Sequence, residues 1–111
     1  MLDIIVCGLQ EVDEFLEIIS EEILAKVFDY AANFIESFGD DASLLIHCHE
    51  GISRSSAIAI AIYTSLYGDP HYAVARVFEQ RSQAIPNIEV IRLSDSMLNC
   101  SEHLIDAVLG L

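Results

Sequence analysis

The sequence predicts an α/β fold with a short parallel sheet flanked by helices, and three features point to it. Two apolar runs of strand length, residues 2–7 and 43–48, are separated by a segment long and amphipathic enough to be a helix, and helical patterns fill the chain after the second run. A strand, helix, strand order of this kind makes a parallel pair joined by a crossover.

Taken in order, residues 2–7 read as the first strand. Ser20 is a plausible N-cap for a helix from about Glu21 to Phe38, with Ile23, Val27, Tyr30, Phe34 and Phe38 near one face. Gly39-Asp40-Asp41 ends it. Residues 43–48 are apolar enough to be buried on both faces, as parallel strands are. A helix from Arg54 to Tyr67 follows and stops at Gly68. Asp69-Pro70 supplies a cap and a proline at the first helical position of the next helix, which runs through Arg81 with Val74, Val77 and Phe78 inward. The remaining helix begins near Asn87 and runs, broken near Cys100-Ser101, to Leu109. There is no repeat, low-complexity stretch or linker, so residues 1–111 form one domain.

Composition narrows the function. With a net charge of −13 and five basic residues in 111, the chain has no cationic surface for nucleic acid or anionic lipid. The acids read as solvated helix faces, and their field repels anionic substrates at long range, leaving capture to local geometry. Three cysteines, an odd number without a secretory signal, fit a reducing compartment. The run Leu2, Ile4, Ile5, Val6 is short, lacks a positive flank and meets acids by Glu11, so it is neither signal peptide nor membrane span. A cytoplasmic location is expected.

The most informative segment is Leu44-Leu-Ile-His-Cys-His-Glu-Gly-Ile-Ser-Arg-Ser-Ser56. An apolar strand that turns through a short glycine-containing loop into a helix N-terminus directs unpaired backbone N–H groups, and the positive end of the helix dipole, into one small space. Cys48 lies at the floor of that space, where the polarisation and the charge of Arg54 favour thiolate, the nucleophilic form. The Arg54 guanidinium is a planar fork that grips two phosphate oxygens at once. Gly51 lets the loop close around a tetrahedral anion, and the Ser55 hydroxyl can donate toward the sulfur.

His47-Cys48-x-x-Gly51-x-x-Arg54-Ser55 resembles the signature of the cysteine-dependent protein tyrosine phosphatase superfamily, in particular its small dual-specificity branch and bacterial relatives. A bare Cys-x5-Arg is a weak signal, and neither Cys7 nor Cys100 repeats it; the added residues and the strand and helix around them make it specific. Phe28–Ile35 resembles the helix before the catalytic strand of that branch. Arg81-Ser82-Gln83-Ala84-Ile85-Pro86-Asn87 resembles the segment that supports its loop from below, so the resemblance covers nearly the whole chain.

The resemblance implies a phosphatase-like three-layer fold, truncated at the N-terminus because further strands normally precede the point where this chain begins. It implies metal-independent hydrolysis of phosphomonoesters on phosphoproteins, on phosphotyrosine and with dual specificity open, through a Cys48 phosphocysteine and without a cofactor. His49, Glu50, Gly51, Ile52, Ser53 and Arg54 would form the phosphate loop, with His47 and Asn87 as its supports and Ser55 assisting departure of the sulfur. The general acid would be an aspartate some thirty-odd residues before the cysteine. Asp13, 35 positions before Cys48, is the choice, with Glu11 favoured by another alignment and Glu14 and Glu17 as neighbours. The loop holds no lysine, which counts against polyanionic phosphoinositides.

Two other classes stay open. Loss of the acid or of covering strands would leave a catalytically weak phosphate-binding pseudophosphatase module. Zinc binding by His47, His49, Cys100 and His103 is the weaker alternative, since the Cys-x2-His pair lies far away in sequence. Cys7 could approach Cys48 as an oxidation partner, although a plain core cysteine is the commoner fate. The expected partner is a phosphorylated protein or peptide, and a two-stranded sheet also leaves an edge through which the chain could self-associate.

Overall fold

A computed structural model describes residues 2–8, 20–39, 41, 43–48 and 53–110. Strands β1 (Asp3–Gly8) and β2 (Ser43–Cys48) pair in parallel, in register from Asp3 opposite Ser43 to Gly8 opposite Cys48. Helix α1 (Glu21–Phe38) lies between them in sequence, and α2 (Ser53–Tyr67), α3 (Pro70–Gln80), α4 (Ile88–Met97) and α5 (His103–Leu109) follow. The described residues are thus mixed α/β and mostly helical, with five helices on a short two-stranded parallel sheet.

The local signals act as their chemistry predicts. The Ser20 hydroxyl accepts from the Ile23 N–H at 3.3 Å, and the Asp69 carboxylate accepts from the Tyr72 N–H at 3.1 Å beside Pro70. Gly68, at φ +71°, ends α2 with its N–H donated to the Thr64 carbonyl at 2.9 Å, a left-handed stop that glycine adopts without steric cost.

Helix α2 is the centre of the molecule. Ser55, Ser56, Ala57 and every residue from Ala59 to Thr64 are buried, and the helix touches α1, α3, α4 and both strands. A helix without a polar face can only be stable with neighbours all round. Its alanines let those neighbours approach closely, and Tyr63, Ile60 and Ile62 fill the space between them.

Four expectations need correction. Strand β2 is not buried on both faces: Leu44 and Ile46 face the helices, but Leu45, on the opposite face, is 58% exposed. The third layer of the expected three-layer arrangement is therefore not among the described residues. In α1 the inward residues are Leu24, Val27, Phe28, Ala31, Phe34 and Ile35, so Val27 and Phe34 lie as expected, whereas Tyr30 and Phe38, placed inward by the sequence reading, are 61% and 70% exposed. The apolar residues of α1 exceed what one face needs, and the 3.6-residue period fits two overlapping stripes. The first strand ends one residue later than expected, at Gly8, and Arg81 is the C-cap of α3 rather than its last turn.

The outer edge of β1 is closed by side chains. The Ile4 N–H donates to the Tyr63 hydroxyl at 2.8 Å, the Leu2 N–H donates to the Tyr67 hydroxyl at 3.0 Å, and Gln80 Nε2 donates to the Ile4 carbonyl at 2.7 Å. Arg76 adds an ion pair with Asp3 at 3.1 Å. Three groups from α2 and α3 take the place of a neighbouring strand.

Candidate functional site

Cys48 is the last residue of β2, and its backbone pairs with Gly8 at the carboxyl end of the sheet. Open α/β sheets bind ligands outside this end of their strands. Helix α2 begins five residues later, at Ser53, with Arg54 and Ser55 in its first turn. His49, Glu50, Gly51 and Ile52 lie outside the described residues, as do Asp13, Glu11, Glu14 and Glu17.

The amino end of α2 differs from those of the other helices. Glu21 and Glu22 occupy the first turn of α1, Asp69 caps α3, Glu89 lies in the first turn of α4 and Asp106 in that of α5. Helix α2 has no acid in its first turn, and the residue before it in sequence, Ile52, carries no side-chain oxygen. In a chain with 18 acidic residues, this helix dipole is left unneutralised by its own first turn.

Arg54 stands on that turn, half-buried. Lys26 pairs with Glu22, Arg76 with Asp3 and Glu79, and Arg92 with Glu89, and Arg81 is also engaged. Among the described residues Arg54 alone of the five basic side chains has no hydrogen bond or ion pair. Its guanidinium and the first N–H groups of α2 form a donor set for which the described residues supply no side-chain acceptor. Ser55 beneath it is fully buried.

Asn87 ties the site to the rest of the helical layer. Its backbone N–H donates to the Ser53 carbonyl at 2.9 Å, while its side-chain oxygen accepts from the N–H groups of Glu89 and Val90 at 3.0 and 3.2 Å. One residue thus caps α4 and fixes the first residue of α2. The Ser56 hydroxyl donates to the same Ser53 carbonyl at 3.1 Å.

The backbone register sets Cys7 opposite His47 and Gly8 opposite Cys48. Cys100 and His103 lie at the junction of α4 and α5, where the His103 N–H donates to the Cys100 carbonyl at 2.9 Å, and burial, with Asp95 nearby, pushes the Cys100 thiol above its ordinary value. That shift opposes thiolate formation. No group of three or more metal-ligating side chains occurs among the described residues, and none of their helices is long and apolar enough to cross a membrane.

Comparison of the chain with family models, with curated proteins and with solved structures gave no match.

Sequence reading missed three polar groups of structural weight. Tyr63 and Tyr67 look like core aromatics at helical spacing, yet their hydroxyls close the edge of β1. Asp95 looks like one more surface acid but is 4% exposed and accepts from the N–H groups of Glu102, Leu104 and Ile105. An acid seven to ten residues before the helix it caps carries no local signature.

Proposed function

We propose that the chain is a metal-independent, cysteine-dependent phosphatase of phosphoproteins, with a phosphatase-like fold and a cytoplasmic setting. The observation that carries this reading is Arg54, a half-buried guanidinium without a partner among the described residues, on a helix N-terminus that no acid in its first turn neutralises, five residues past a strand that ends in Cys48. A cation that no described residue pairs, at an unneutralised helix N-terminus in so acidic a chain, supports a site for an anion.

In this reading the Cys48 thiolate attacks phosphorus, the bond to the ester oxygen breaks, and a carboxylic acid, Asp13 or Glu11, protonates the leaving oxygen. Water then attacks the phosphocysteine with the same carboxylate as base; inorganic phosphate leaves and the thiolate is restored. Arg54 and the N–H groups of the loop hold the equatorial oxygens throughout. Phosphotyrosine is the leading substrate, with phosphoserine and phosphothreonine next. Self-association through the free edge of the sheet belongs to the same reading.

Hydrolysis of p-nitrophenyl phosphate in EDTA, with dithiothreitol present and Cys48→Ser beside wild type, tests it. Turnover that resists EDTA and vanishes in the variant is the expected result. No turnover with phosphopeptide binding retained would make the chain a phosphate-recognition module; absence of both would remove the anion site. Asp13→Asn should slow poorly activated phenyl or alkyl phosphates more than p-nitrophenyl phosphate, and an equal loss on both would exclude Asp13 as the acid.

A further inference from the structure

The two edges of the sheet are finished in opposite ways. Along β1 the outward N–H and C=O of Ile4 are both satisfied by side chains. In a parallel ladder, outward groups on one strand fix the alternation on the other, so the register of Ile5 opposite Leu45 turns the N–H and C=O of Leu45 away from β1. No hydrogen bond joins them to a described residue. The Leu45 side chain is 58% exposed beside them. An open groove of about 530 Å³ runs along this edge between α1, β2 and α2, lined by Ile23, Val27, Tyr30, Leu44, Ile58 and Ile62, with Lys26 as the one charged side chain among the described residues there. The fold thus closes one edge with three side chains and presents the other with an apolar groove alongside, which is the layout of a surface that accepts a strand.

We propose that this edge docks a second copy of the same chain, β2 against β2 in antiparallel orientation about a two-fold axis through Leu45. This gives the self-association included above its surface and polarity. Charge selects both the occupant and the direction. Two copies of a chain with net charge −13 can meet closely only where acids are scarce, and the described residues that line the groove include none. Because β1 and β2 are parallel, α1 returns antiparallel to both, and Lys26, in the first half of α1, lies toward the carboxyl end of β2. Asp41 lies just before the amino end of β2. Antiparallel docking brings Asp41 of each copy toward Lys26 of the other, whose exposed 3.8 Å pair with Glu22 is weak enough to be shared, whereas parallel docking would set Asp41 against Asp41. With Leu45 opposite Leu45, the two outward N–H and C=O pairs satisfy each other, and the contact is isologous and closes as a dimer.

Sedimentation equilibrium on the full chain tests the proposal. Wild type should be dimeric at tens of micromolar, and Leu45→Lys should weaken the dimer by about tenfold or more, through burial of a charge at the axis. Lys26→Glu and Asp41→Lys should each weaken it, and the double reversal should restore it, since every pair occurs twice. The reversal series lies on exposed positions and decides the matter even if Leu45→Lys fails to fold, which far-UV circular dichroism would report. A monomeric wild type, a dimer indifferent to Leu45→Lys in its folded form, or a double reversal no tighter than the singles would each overturn the proposal. The outcome is separable from the phosphate chemistry: a monomer that hydrolyses p-nitrophenyl phosphate overturns the dimer alone, and a dimer without turnover or anion binding overturns the enzyme alone.

Discussion

Arg54→Lys keeps the charge at the start of α2 and removes the planar fork. Lysine presents a compact ammonium that can approach one oxygen of a tetrahedral anion but cannot bridge two. On the proposed mechanism kcat/KM on p-nitrophenyl phosphate should fall by about 100-fold or more, the scale of losing one positioned transition-state donor. Thermal stability should be nearly unchanged, because no partner among the described residues is lost; retention of activity in Arg54→Lys would show that the guanidinium geometry is not used. Ser94 offers the opposite case. Its hydroxyl is fully buried and without a hydrogen-bond partner among the described residues. Since an unsatisfied buried polar group costs about 1–3 kcal/mol, Ser94→Ala should raise the urea midpoint; a fall would mean that the hydroxyl has a partner, such as an ordered water.

At the scale of elements, the junction of α4 and α5 depends on one carboxylate. Asn99, Ser101 and Glu102 all have positive φ, a costly run for residues with a Cβ, and the Asp95 carboxylate holds the turn by accepting the N–H groups of Glu102, Leu104 and Ile105 at 3.0–3.1 Å. Asp95→Ala should therefore cost about 3 kcal/mol or more, as charged hydrogen bonds disappear and buried N–H groups stay unpaired. Hydrogen exchange should place the first loss of protection in α5, and uniform loss across all helices would contradict a local role. This junction marks the boundary of what was legible beforehand. Ser20, Gly68, Asp69-Pro70 and Asn87 were readable because a cap or stop acts within a few residues of its own helix. The break near Cys100-Ser101 was readable from composition, but the clamp that enforces it was not. The faces of α1 and β2 were misjudged because an apolar residue such as Tyr30 or Leu45 signals burial without naming a partner, and none of the described residues covers them in the isolated chain. At the site, Cys48 and Arg54 stood out through their spacing, while the link from Asn87 to Ser53 spans 34 residues and has only a tertiary cause.

The whole molecule is poised to lose stability on the alkaline side. Burial holds the Tyr63 hydroxyl above its ordinary value of 10.0 despite the opposing pull of the Ile4 N–H and Arg76, and burial followed by Asp95 holds the Cys100 thiol above 9.0. The unfolded chain releases both protons at the ordinary values while the folded chain retains them, so above about pH 9 the unfolded state binds fewer protons and stability falls as pH rises. Below that range this contribution is fully present. The net charge of −13 grows as these groups ionise, and self-repulsion acts in the same direction, so the slope of wild type alone does not isolate the tyrosine. Tyr63→Phe does. Removing the hydroxyl leaves the Ile4 N–H without its acceptor at the closed edge of β1, which should lower stability at neutral pH by about 1–2 kcal/mol. It also removes the raised tyrosine, so the decline above about pH 10 should be shallower than in wild type. Urea midpoints for the two proteins from neutral pH upward should converge in the alkaline range; curves that stay parallel would mean that Tyr63 ionises alike in both states and that its burial does not set the alkaline limit of the fold.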